Sequence, residues 1–94
     1  MTEITWQKIL CPVDYSERSR AALRVAVDLA RRFGAGLTLL HVEEAQHAGE
    51  SAKLDAWRSE ALAQGLRVET AVVNGDPQTA IAQWATDHGV DAIV

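Results

Sequence analysis

Asp14 is the residue best placed to do chemistry. It closes the stretch Lys8–Ser16, KILCPVDYS, in which Ile9, Leu10, Cys11 and Val13 read as a buried strand and Asp14 as its polar exit. In an open parallel sheet, ligands bind beyond the carboxyl ends of the strands, beside the point where strand order reverses. A carboxylate at such an end is a fixed acceptor. The same residue also reads as a plain polar stop and turn former ahead of Ser16, which is suited to cap the helix that follows.

The other reactive side chains support less. Asp76 before Pro77 reads first as a helix cap, although it also closes a strand and could face the same region. Cys11 lies inside a strand, where a free thiol behaves as a small hydrophobe. His41 and His47 stand apart without the cluster a zinc site needs, and His88 suits the end of a helix. Trp6, Trp57 and Trp84 read as core or groove-covering rings. The sequence contains no GxSxG, GxxxxGK[ST] or GxGxxG motif, and no set of nucleophile, base and oxyanion donors. No catalytic residue and no metal ligand is assigned, and an enzyme is not indicated.

The elements that must position Asp14 follow in order. A strand is expected over 8–13, with Pro12 tolerable where strand pairing stops. A helix over 17–33 carries Ala22, Val25, Ala26, Leu29, Ala30 and Phe33 as one apolar stripe, with Gly34 as its stop. A near-continuous apolar run over 37–42, LTLLHV, suits a strand buried on both faces. A polar loop over 43–50 leads to a helix over 51–64, with Leu54, Trp57, Ala61 and Leu62 on one face. The partial alternation over 67–73 suggests an edge strand. Asn74-Gly75-Asp76-Pro77 then opens a helix with Ile81, Trp84, Ala85 and His88 on one stripe, ending at Gly89 before a buried strand over 90–94. The order βαβαβαβ implies a three-layer α/β fold with a parallel sheet and right-handed crossovers. Its parallel sheet is expected in the order 3-2-1-4, with the reversal between the first and fourth strands. The first two helices would cover one face and the third the other, leaving the fourth strand with an open edge.

The totals narrow the class. Ninety-four residues, 48% of them hydrophobic, suffice for one small domain. A formal net charge of −4 gives no support for nucleic acid or an anionic membrane as partner. A single cysteine rules out an internal disulfide and fits a reducing compartment, and neither a signal peptide nor a membrane span is apparent. A cytoplasmic protein is the expectation.

KILCPVDYS followed by RAALRVAVDLARRFGAGLTLLHV, and later NGDPQTAIAQWATDHGVDAIV, resembles the universal stress protein family from about Trp6 to Val94. The resemblance implies a flavodoxin- or Rossmann-like fold, and that 1–94 is a single, truncated domain of that family, its N-terminal two-thirds, with the fifth strand missing. It further implies adenine-nucleotide binding, with Pro12, Val13 and Asp14 lining the adenosine pocket, Asp14 accepting from the ribose hydroxyls, and Val42 touching adenine. ATP with Mg is the implied cofactor and a homodimer the implied assembly of the complete domain. The family's glycine-rich phosphate loop, G-x-x-G, nine residues, then G-[ST], has no counterpart in this sequence. The function implied is a non-catalytic, ATP-binding signalling module of the stress response. The alternatives are a stress protein that binds no ATP and acts through protein contacts, or a relative that slowly hydrolyses ATP.

Overall fold

The computed structural model describes residues 6–43 and 51–94. Four strands and three helices alternate: β1 (Lys8–Pro12), α1 (Glu17–Phe33), β2 (Gly36–Glu43), α2 (Ser51–Leu62), β3 (Val68–Asn74), α3 (Pro77–His88) and β4 (Ala92–Ile93). The strands form one parallel sheet in the order β3-β2-β1-β4, as the sequence implies. Most of the polar loop expected over 43–50, including His47, lies outside the described residues.

Register assigns the faces. Ile9 pairs with Leu37 and Cys11 with Leu39, and these four side chains point toward α1 and α2. They join Val13, Leu23, Ala26, Ala30, Leu54, Trp57, Ala61 and Val68 in one core. Leu10 and Leu40, both fully buried, point to the other face, which α3 covers. The core is therefore lopsided: no residue of α3 is buried, Ile81, Trp84 and Ala85 are half-buried, and His88 is exposed. The His88 ring instead stacks on Trp84 with centroids 3.7 Å apart, and its Nδ1 donates to the Trp84 carbonyl at 3.0 Å.

Local signals place the helix ends. The Ser16 hydroxyl accepts the Ser19 N–H at the start of α1, and Asp76 does the same for Thr79 at the start of α3. Gly34, at φ 64°, closes α1 by donating its N–H to Ala30, a backbone conformation that a Cβ would strain.

Two helical expectations need correction. Val25 is 51% exposed, because the buried stripe of α1 runs through Ser19, Leu23, Ala26 and Ala30 and is rotated away from it. A serine holds the first position of that stripe because its hydroxyl has a backbone partner at the end of β1. Leu62 is likewise exposed, since α2 ends there and turns through Gly65. The edge position of β3 is as expected: Val68 is buried while Val72 is 45% exposed.

Pro12 shapes the sheet where it matters. The Val13 N–H donates to the Leu40 carbonyl at 2.8 Å, so odd-numbered residues of β1 bond toward β2 and even-numbered ones toward β4. Pro12 has no N–H to offer β4. The rung that residue 12 would donate toward β4 is therefore missing, and the bond before it runs from the Val94 N–H to the Leu10 carbonyl at 3.0 Å. At the opposite end of the same strand pair, Asp91 accepts the N–H groups of Gln7 and Lys8 at 2.8 and 2.9 Å.

Candidate functional site

A crevice of about 420 Å³ opens at the carboxyl ends of β1, β2 and β4, where the strand order reverses. Its floor is Pro12, Val13, Leu40, Val42 and Val94. One wall is the first turns of α1, with Arg18 and Ala22 a turn apart, and the other is α3, with Pro77 and Ile81 likewise a turn apart. Asp14, Ser16 and Ser19 complete the lining. The four residues singled out from the sequence, Pro12, Val13, Asp14 and Val42, thus meet in one cavity. A groove of about 610 Å³ between α1 and α2 contains none of them.

The turn that presents Asp14 is tightly held. Tyr15 takes a left-handed conformation, φ 66°, which is costly for a bulky residue and reverses the chain between strand and helix. Its ring packs on His41, centroids 4.7 Å apart, and edge-on against Trp57 at 5.4 Å. His41 Nδ1 lies 2.8 Å from the Val13 carbonyl; a carbonyl only accepts, so Nδ1 carries the proton. Val13 is thereby anchored through both its N–H and its carbonyl. The Asp14 N–H donates to the Ser19 hydroxyl at 3.1 Å.

The Asp14 carboxylate is bound on one side. Its Oδ1 accepts the Ser16 N–H at 2.9 Å and the Ser16 hydroxyl, which in turn accepts the Ser19 N–H at 3.1 Å. The hydroxyl of Ser16 is the chief reason the carboxyl sits below its ordinary range; the Ser16 N–H adds to this and the charge of Arg18 contributes a little. Asp14 is thus an anion at neutral pH. Oδ2 accepts no hydrogen bond among the described residues, and the side chain is exposed. The arrangement offers one preorganised acceptor beside an apolar slot.

Several lining residues were not legible in advance. Ser19, Ala22 and Leu40 belong to the core pattern, and Pro77, Ile81 and Val94 are remote in sequence from Asp14. The part played by His41 had a signal, a polar residue inside the apolar run LTLLHV. Asp76 keeps its helix-capping role, its Oδ2 accepting from the Thr79 N–H and hydroxyl at 3.1 Å each. Burial raises the Cys11 thiol to about 11, as an inert core cysteine requires. No cluster of three or more histidine, cysteine or acidic residues that could hold a metal occurs among the described residues.

These features define a doubly wound α/β protein with a crevice at its topological switch point. The model of the universal stress protein family matches residues 5–94, and the chain belongs to that family. Among solved structures it is similar to the protein MJ0577, with a TM-score of 0.87 at 25% identity, over 97% of this chain and 74% of that one. A universal stress protein from Archaeoglobus fulgidus DSM 4304 matches with a TM-score of 0.85 at 24% identity, over 95% of this chain and 33% of that one. A universal stress protein solved in complex with cAMP matches with a TM-score of 0.84 at 24% identity, over 96% of this chain and 71% of that one. At these identities the last two are likenesses of fold. No curated protein sequence matches the chain.

Proposed function

We propose that the crevice binds an adenine nucleotide, with ATP and its Mg as the expected ligand, and that the protein is a non-catalytic, nucleotide-responsive module of the stress response. The observation that carries this is the meeting of Pro12, Val13, Asp14 and Val42 around one cavity. An adenosine fits the chemistry of the lining. Its flat base suits the apolar slot between Val42, Leu40 and Ile81, and its ribose hydroxyls suit Asp14 Oδ2. The cAMP held by the relative of like fold is an adenine nucleotide too. Ligand binding would act by mass action, stabilising the folded chain and biasing its contacts with partners or with a second copy.

Calorimetric titration with Mg-ATP, AMP and adenosine tests the reading. Wild-type protein should bind, and Asp14→Ala should weaken binding about 10- to 100-fold, the worth of hydrogen bonds to a charged acceptor. An unchanged affinity in Asp14→Ala, or no binding by wild type, would overturn it and leave a stress protein that works through protein contacts. Phosphate release from ATP that disappears in Asp14→Ala would favour the hydrolytic alternative instead.

A further inference from the structure

We propose that the outer edge of β3 is a self-docking surface, on which the β3 of a second copy pairs antiparallel about a two-fold axis through Ala71. This is independent of the nucleotide reading, since no β3 residue lies among the described lining of the crevice.

Backbone parity fixes what this edge offers. Leu37 donates its N–H to the Arg67 carbonyl, and Gly75 donates to the Glu43 carbonyl at the other end of the strand pair. With Leu37 opposite Val68 and Glu43 opposite Asn74, the odd-numbered residues of β3 turn their backbone groups toward β2. The N–H and C=O groups of Val68, Thr70, Val72 and Asn74 point the other way. None of them has a hydrogen-bond partner among the described residues. Exposed edges are ordinarily guarded by lysine, proline or a bulge. β3, VETAVVN, has no lysine or proline, and its pairing with β2 runs unbroken from Val68 to Asn74. Its sole charge is Glu69, and Val72 is 45% exposed.

The strand's own sequence chooses the occupant. In the antiparallel register centred on Ala71, Thr70 faces the second copy's Val72, and Val68 faces its Asn74. These are the residues with free backbone groups, and no other antiparallel register pairs all of them with one another. Glu69 then faces Val73 rather than the second copy's Glu69, which would repel it. Val72 lies diagonally across from its own counterpart, so pairing covers an apolar side chain that a single copy leaves in water. A two-fold pairing also closes, whereas parallel addition would leave a fresh edge and continue.

Sedimentation of the full chain over a range of concentrations tests this on wild type, Val72→Pro and two cysteine variants. Wild type should be a dimer that dissociates on dilution. Val72→Pro removes an N–H that points away from β2, so the ladder within one copy stays whole and the variant should fold. Lost from both copies, that donor should weaken the dimer about tenfold or more. Ala71→Cys brings two thiols face to face across the axis at a non-hydrogen-bonded pair, a spacing that a disulfide spans. It should cross-link under a mild oxidant, whereas Val73→Cys, facing Glu69, should not. Cys11 is fully buried and does not compete. A monomeric wild type overturns the inference. So does a dimer that Val72→Pro leaves unchanged, or one in which Ala71→Cys does not link faster than Val73→Cys. If Val72→Pro does not fold, the two cysteine variants decide alone.

Discussion

The turn carrying Asp14 should depend on His41, whose ring donates to the strand end directly before it. His41 is 7% exposed and donates to the carbonyl of Val13, itself buried, at 2.8 Å. Replacing it with phenylalanine keeps a ring against Tyr15 and removes the donor. The Val13 carbonyl is then buried without that partner, at a cost of about 1–3 kcal/mol. His41→Ala also forfeits the stacking of the ring on Tyr15, worth ~0.5–1.5 kcal/mol beyond its burial, and leaves a cavity, so it should be less stable than His41→Phe by more than that amount. Urea unfolding followed by tryptophan fluorescence gives both differences. If the strand end is what His41 holds, His41→Phe should also weaken nucleotide binding, since Asp14 follows directly on Val13. A His41→Phe protein within ~0.5 kcal/mol of wild type would refute the reasoning and leave His41 as a packing residue.

Other expectations follow from the same geometry. Ser16→Ala removes both a helix cap and the hydroxyl on Asp14, whereas Asp76→Ala removes a cap alone; Ser16→Ala should cost up to ~2 kcal/mol in urea unfolding and Asp76→Ala ~1 kcal/mol, and the reverse order would contradict the assignment. Cys11, fully buried with its thiol raised to about 11, should resist a thiol reagent at pH 8 until the protein is unfolded; rapid labelling of native protein would show that β1 opens. The carboxyls of Asp14 and Asp91 both lie below the ordinary 3.8 in the folded protein, through bonds from Ser16 and from the Gln7 and Lys8 N–H groups respectively. Their contribution to stability is therefore present above pH 3.8 and lost as the pH falls through the lower folded values. Asp91→Asn should flatten the acid limb of a stability-against-pH curve, and an unchanged limb would argue against the contact.

Much of this was open to the sequence alone because it depends on neighbours along the chain. Hydrophobic periodicity and the punctuation at Ser16, Gly34, Asp76 and Gly89 fixed the seven elements and most of their ends. Right-handed crossovers then left the order 3-2-1-4, with Asp14 at the reversal. Pro12, Val13, Asp14 and Val42 share a cavity because they lie at the ends of adjacent parallel strands, a relation that strand order dictates.

What only the tertiary structure decided concerns direction and distance. Apolar spacing on α1 allows more than one neighbouring stripe, and the choice went to the one holding Ser19, leaving Val25 in solvent, because the Ser19 hydroxyl meets the Asp14 N–H. His41 found its role when β2 paired with β1 and brought the ring to the Val13 carbonyl. Pro77 and Ile81 joined the crevice because the third crossover returns on the far face of the sheet. Arg18 became a crevice residue, and Arg20 a partner of Trp57 and Glu60 with its guanidinium 4.3 Å above the indole, because two positions on a helix differ by more than half a turn. A sequence states which residues a helix carries; the packing of that helix states which of them face the ligand.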